Sequence, residues 1–391
     1  MMKILTILMV VTGILCEEIS KEYIHSNNIF CIKLLGELDK GHGNNLVYSS
    51  FSPETILALM TLGSKGNTAT EIKKVLQLPI SDEKIKNEYE HVHTEIEQTK
   101  NVEITSANQV YLAKGFNAEA AFVKTANETF RAGVQNVDFG NSQKAVDDIN
   151  AWVEEKTNKK IKNLLSKDQI SDLTRMVLVN ALYFKGHWQH PFDPEQTQKR
   201  DFHVSKTETV QVDTMKVTAD LYVDKMDKHN VTYLMMPFAG TQNRVKIRIV
   251  IPHDVDGLDR AYEDLETTVP AQNYTKEYMK LYLPKFKIES SIDMKPILKN
   301  MGILEIFDKP DFSGITKEAI KVDSFVQKAF IDVNEFGTEA AAATAAISIA
   351  RTLLIPKAIA SEYHVDRPFF FCILLDEVAI VTGRVKNPLL G

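Results

Sequence analysis

The chain has 391 residues, 44% of them hydrophobic and 25% charged, with 17 glycines and 13 prolines. That composition excludes disorder and collagen-like repeats and is enough for a large core. A net charge of −6 gives no general attraction to nucleic acid or to an anionic membrane, so either partner would need a local basic patch.

In chain order, MMKILTILMVVTGILCEE places Lys3 before an apolar run from Ile4 to Val11 that continues to Leu15 and ends in acid. The run is too short to span a bilayer and no stop-transfer pattern follows. Residues 1–16 therefore read as a secretory signal peptide cut near Cys16, which leaves 17–391 as a soluble, secreted, extracellular chain. A lipid anchor on Cys16 fits less well, because Leu15 stands where a small residue should. Two cysteines remain. Cys31 shares an apolar helical face with Leu35 and Leu38, and Cys372 lies in the run Phe369 to Leu375, so both read as small buried hydrophobes. A disulfide is permitted outside the cell, and the sequence leaves open whether the two meet. Asn127, Asn230 and Asn273 each head a glycosylation sequon.

The N-terminal third reads as helical. Ser52 before Pro53 and Glu54 predicts a helix start with Ile56, Leu57 and Met60 on one face, and Thr68 with Glu71 predicts a capping box ahead of Ile72, Val75 and Leu76. A longer amphipathic helix is predicted from Gln143 to Thr157, with Val146, Ile149 and Val153 inward and Trp152 beside them. The period then changes to two. Segments 244–252 and 280–288 alternate as half-buried strands do, while the nearly continuous apolarity of RMVLVNALYF, from Arg175 to Phe184, predicts a central strand. Without internal repeats or a linker, the chain reads as one mixed α and β domain.

Catalytic signatures are absent: there is no G-x-S-x-G elbow, H-E-x-x-H pair, C-x-x-C pair, Walker loop or G-x-G-x-x-G fingerprint. His91 and His93 face different ways on a helix and read as surface histidines, as do His187 and His190 around Trp188. No metal or other cofactor is implied. Lys156, Lys159, Lys160 and Lys162 form a cluster that could attract a glycosaminoglycan, although Glu154 and Glu155 beside it favour a solvated helix end.

The unusual stretch is EFGTEAAAATAAISIARTLLIPK, from Glu335 to Lys357. Between Gly337 and Ala350 no side chain exceeds isoleucine and Glu339 is the sole charge. An alanine-rich surface helix would show an amphipathic pattern, which is missing. At period two, Thr338, Ala340, Ala342, Thr344, Ala346, Ser348 and Ala350 share one small, uncharged face that could enter a sheet as an extra strand. Thr338 is then expected to be the first side chain to turn inward.

These residues resemble the serpin family, over nearly all of the mature chain. Glu335 to Thr344, with Gly337, Thr338, Glu339 and Ala340, Ala341, Ala342, Ala343, looks like the family's reactive-loop hinge. Asn180 to Pro194, NALYFKGHWQHPFDP, is similar to its central-strand and breach motif with Trp188 at the tryptophan. DFSGI at Asp311 to Ile315 and HVDRPFFF at His364 to Phe371 follow in family order. The resemblance implies an α+β serpin fold of three β-sheets and about nine helices, with an exposed loop toward the C-terminus, and a monomer. It also implies suicide inhibition of a serine protease, with Arg351 offered to the specificity pocket and the bond Arg351-Thr352 cut. An arginine there suits trypsin-like enzymes, whose pocket ends in a carboxylate. Lys357 is a second, less favoured bait. The loop and leader look like those of secreted serpins of blood-feeding arthropods, which suggests clotting, complement or inflammatory proteases as targets. Phe336 departs from the polar residue usual in inhibitory relatives. Gln327 stands where a histidine is frequent in the shutter, near Ser49, Ser52 and Asn180, and can donate and accept in its place. The alternative is a non-inhibitory serpin-fold binding or carrier protein, which would favour bulky, charged or proline residues in the hinge.

Overall fold

The computed structural model describes residues 18–40, 43–338 and 360–391. The leader, the stretch Glu339 to Thr344, and the Arg351-Thr352 bond lie outside the described residues.

Helices α1 (Lys21–Asp39), α2 (Phe51–Leu62), α3 (Gly66–Leu76) and α4 (Asp82–Gln98) form the N-terminal quarter, with strand β1 (Leu46–Tyr48) between the first two. Then come β2 (Val102–Ala113), α5 (Ala120–Glu128), β3 (Ala132–Val137), α6 (Ser142–Lys156) and β4 (Met176–His187). A run of strands follows: β5 (Gln198–His203), β6 (Thr209–Met226), β7 (Val231–Pro237) and β8 (Val245–Pro252). After α7 (Leu258–Glu263) and α8 (Leu265–Thr268) come β9 (Thr275–Pro284), β10 (Phe286–Asp293) and α9 (Met294–Met301). The chain ends in β11 (Ser324–Asn334), β12 (Gly337–Thr338), β13 (Ser361–His364), β14 (Phe369–Leu375) and β15 (Val378–Val385). No helix among the described residues is long and apolar enough to cross a membrane.

Six strands form one sheet in the order β10-β11-β12-β4-β2-β3. Nine form the other network, along β1-β15-β14-β8-β7-β6-β9-β13, with β5 also on β6. The long β6 turns a corner: Tyr222 to Met226 pair with β7, whereas Thr214 to Val223 pair with β9. Among the described residues the three expected sheets are joined into two hydrogen-bonded networks, because β6 pairs with both β7 and β9.

The continuous apolarity of β4 follows from its position. Leu178, Leu182 and Phe184 enter the main core, while Val177, Val179 and Ala181 on the opposite face pack with Val146, Ile149 and Val153 of α6. A strand covered on both faces has no polar side to display.

Several local expectations are corrected. Helix α2 begins at Phe51 with Ser50 at the cap position, so Ser52 lies in its first turn; the Ser49 hydroxyl instead accepts from Ser52 N at 3.1 Å. Helix α3 begins at Gly66, inside which Thr68 and Glu71 bond outward rather than to each other. The Glu71 carboxylate accepts from the backbone of Leu304 and Glu305 at 2.7 and 2.8 Å. Segment 280–288 is two strands, since after Pro284 the chain passes at Lys285 from the nine-stranded network to the six-stranded sheet. His93 is interior, 4% exposed against the Phe51 ring at 5.2 Å, and burial pushes its pKa down to about 3.

Candidate functional site

The centre of the six-stranded sheet is a parallel pair that opens at one end. Ser324 to Phe330 of β11 run beside Val177 to Tyr183 of β4. Beyond that contact the strands part and β12 lies between them. It is antiparallel to both, with Thr338 opposite Val333 and Gly186, and Gly337 opposite Asn334 and His187. Thr338 is 0% exposed, and its hydroxyl accepts from Gly186 N at 3.1 Å. Thr338, expected to be the first side chain to turn inward, is already seated between the two strands in the uncut chain. Gly337 is required by proximity, because a Cβ there would lie 1.9 Å from the Gly186 carbonyl oxygen.

The turn that delivers β12 is held by Trp188. Its indole Nε1 donates to Asn334 O at 2.9 Å and its backbone N to Phe336 O at 3.0 Å, while Phe192 N donates to Glu335 O at 2.9 Å. The ring stacks on Phe238 at 4.7 Å, which fixes the donor's direction. Glu335 is buried and accepts from Thr197 Oγ1 at 2.8 Å and Lys285 Nζ at 2.9 Å. Burial alone would raise its pKa, but the hydrogen bonds from Lys285 and Thr197 outweigh it and hold the carboxyl below its ordinary value. The half-buried Phe336 leaves this clamp intact.

Deeper in the sheet, a polar rung crosses three strands where β11 and β4 are still joined. Gln327 and Asn180 are register partners, as are Asn180 and Asn108 of β2. Gln327 Nε2 donates to Asn180 Oδ1 at 2.7 Å and to Ser49 O at 2.9 Å, and its Oε1 accepts from Ser49 N at 3.1 Å. Asn180 Nδ2 donates to Asn108 Oδ1 at 2.5 Å. Ser52 Oγ donates to the same Asn108 oxygen at 3.3 Å and contacts Ser106 Oγ, and Ser49 Oγ reaches Ile380 O at 2.7 Å. Gln327 is 0% exposed and has both amide hydrogens and its oxygen occupied, so the network closes without a histidine.

The structure thus brings together Ser49, Ser52, Asn180 and Gln327, and separately Trp188 with Glu335, Gly337 and Thr338. Asn108 and Ser106 were missed. Their only sequence signal is a polar pair inside the strand VEITSANQVYLA, which marks no chemistry without its cross-strand partners. Asn127, Asn230 and Asn273 are all exposed. Lys156, Lys159, Lys160 and Lys162 are exposed around the end of α6, among backbone turns at Asn158 and Lys159 with positive φ.

A sheet whose two central strands are joined below and parted above by the start of a small-residue segment is compatible with the serpin fold that the sequence resembles. Comparison agrees: the family model described as "Serpin (serine protease inhibitor)" matches residues 25–388, and the chain belongs to the serpin family. It is 37% identical to Alaserpin of Manduca sexta over 95% of each chain, and 35% identical to Antitrypsin of Bombyx mori over 93% of each. The fold is that of Serpin48 of Tenebrio molitor, described as a highly specific serpin, with a TM-score of 0.86 and 36% identity over 94% of this chain and 98% of that one.

Proposed function

We propose that residues 17–391 act outside the cell as a suicide-substrate inhibitor of trypsin-like serine proteases. The observation that carries this reading is β12: the hinge already lies between β11 and β4, with small residues queued behind it in the sequence. The protease serine attacks the Arg351 carbonyl, the Thr352 amine leaves, and Arg351 is held as an ester on the enzyme. The arginine selects the enzyme, because its guanidinium meets a buried carboxylate in charge-assisted hydrogen bonds. Once the bond is cut, Glu339 to Ala350 are free to follow Thr338 down the opening. Past the open mouth, each residue entered replaces a β11–β4 pairing with pairings on both sides of the new strand, at about 0.5–1.5 kcal/mol per net bond gained. The protease, still esterified, is carried with the loop and distorted before deacylation. The trypsin-like choice rests on Arg351, because Antitrypsin and Antichymotrypsin-2 of Bombyx mori are each 35% identical to this chain. Export by the leader, sugars on the exposed Asn127, Asn230 and Asn273, and a weak glycosaminoglycan contact at Lys156, Lys159, Lys160 and Lys162 complete the reading.

Incubation with trypsin tests it. The parent forms a complex that survives boiling in SDS, and Arg351→Ala loses it while keeping its fold. An unchanged rate of trapping by Arg351→Ala would move the bait to Lys357. Failure of the parent to trap any trypsin-like or other serine protease would favour the carrier alternative.

A further inference from the structure

Two thiols far apart in sequence meet in the interior. Cys31, on α1, is 6% exposed, and Cys372, on β14, is half-buried. One hydroxyl touches both: Thr382 Oγ1 of β15 is 3.2 Å from Cys31 Sγ and 3.3 Å from Cys372 Sγ. Thr382 is the register partner of Cys372, so the two lie side by side on one face of the β14–β15 hairpin while α1 lowers Cys31 onto them. The neighbouring Cys372 is the largest influence on the Cys31 thiol and lowers its pKa, and Cys31 in turn raises that of Cys372. Both line a cavity of about 50 Å³ with apolar walls that include Leu35, Val250 and Phe371. No group of three or more metal-ligating side chains exists among the described residues, so a metal site does not explain the pair.

We propose that Cys31 and Cys372, free thiols in this structure, are the site of one intramolecular disulfide that staples the N-terminal helix to the C-terminal hairpin. The oxidant is a disulfide, either of a low-molecular-weight thiol or of a thiol-disulfide oxidoreductase. The Cys31 thiolate, its proton released to water, attacks one sulfur of the oxidant and expels the other as a thiolate. The Cys372 thiolate, likewise deprotonated, then attacks Cys31 Sγ and expels the second. Two thiols become one S–S bond, two protons leave, and the oxidant is reduced to two thiols. Exchange during folding, before α1 covers β14, requires no entry into the finished cavity.

A consequence rests on the proposed function. A cut anywhere in the stretch before β13 divides the chain between the two cysteines. Without the staple, the C-terminal piece carrying β13, β14 and β15 is held by non-covalent contacts alone; with it, the cleaved inhibitor remains one covalent molecule under denaturing conditions.

The test is to refold the mature chain in a glutathione disulfide buffer, denature it with an alkylating agent, and map the peptides by mass spectrometry. The expected result is near-complete protection of Cys31 and Cys372, with their peptides joined until a reductant is added. Alkylation of both residues without reductant, or a glutathione adduct on either in place of the joined pair, would overturn the proposal. Nicking the loop and running the product without reductant gives a second readout. The parent keeps its C-terminal fragment and Cys31→Ser releases it; equal release from both also counts against the staple. Because any cut between the cysteines serves, and the peptide map needs no cut, failure to trap trypsin is read separately from failure to form the bond. The parent with and without reductant decides the matter if Cys31→Ser does not fold.

Discussion

At the scale of single residues, Thr338 and Glu54 show how one side chain sets a property of the whole. Thr338 sits with its hydroxyl against Gly186 N in a fully closed site, so Thr338→Arg would bury an unpartnered charge and expel β12. Arg351 is untouched, so the protease still cleaves, but insertion slows and deacylation overtakes it. Moles of inhibitor consumed per mole of trypsin should rise severalfold, whereas Glu339→Arg, on the outward parity of the same stretch, should stay near the parent. Equal values for Thr338→Arg and the parent would sink loop insertion as the mechanism. Glu54 lies at the start of α2, 1% exposed, accepting from Asn27 at 2.7 Å and Tyr89 at 2.9 Å. Asn27 is oriented by Ala379 N, which donates to its oxygen at 2.8 Å. Burial raises the Glu54 pKa from 4.5 to about 8, against the two hydrogen bonds and with help from Cys31 and Glu88 nearby. Between those values the folded chain holds a proton that the unfolded chain has lost. The contribution is therefore whole below pH 4.5 and is lost as pH rises toward 8, an effect of at most about 5 kcal/mol. Denaturant midpoints measured from pH 5 to pH 8.5 should fall in the parent and flatten in Glu54→Gln; parallel slopes would remove Glu54 as the cause.

At the scale of elements, the decisive object is the seam between β11 and β4. Its upper part is held apart by β12 and its lower part is closed by seven register pairs and the Gln327–Asn180 contact. On the proposed mechanism further insertion would break that contact, so the rung would oppose premature uptake of the loop as well as stabilise the native sheet. Gln327→Leu removes it and orphans Asn180 Oδ1 and the Ser49 backbone at a site closed to water. Each buried group left unpaired costs about 1–3 kcal/mol, so the urea midpoint should drop while amides along β11 and β4 exchange faster. An unchanged midpoint would mean that the rung carries little of the seam's stability. The element boundaries explain why local rules missed: Thr68 and Glu71 have the spacing of a capping box, but both are already inside α3 and serve the segment at Leu304 and Glu305.

At the scale of the molecule, the resting chain is a sheet with one strand position filled only at its mouth. Filling the rest adds a strand to the middle of the six-stranded sheet and covers the seam, so the loop-cleaved form should unfold at a higher temperature than the intact one, by ten degrees or more on the order of several kcal/mol. Differential scanning calorimetry of intact and nicked protein checks this; matching transitions would favour the carrier alternative.

What the sequence determined by itself is what depends on neighbours within a few residues. The apolar run of β4 announced a strand covered on both faces, and the alternation of 244–252 announced β8, although that strand is buried nearly throughout rather than half-buried; the small side chains after Gly337 suggest a segment able to enter a sheet, of which Thr338 alone lies among the described residues. The family motifs around Asn180, Trp188, Asp311 and His364 added the fold. The tertiary structure decided whatever joins residues remote in the chain. Asn108 gains its role only from Asn180 beside it and Gln327 one strand further, Glu54 is held protonated by burial under α1 and α4, and Cys31 meets Cys372 through Thr382. Such pairings leave no local pattern, because the period of a strand or helix fixes which face a side chain takes, and only the packing of whole elements fixes what waits on that face.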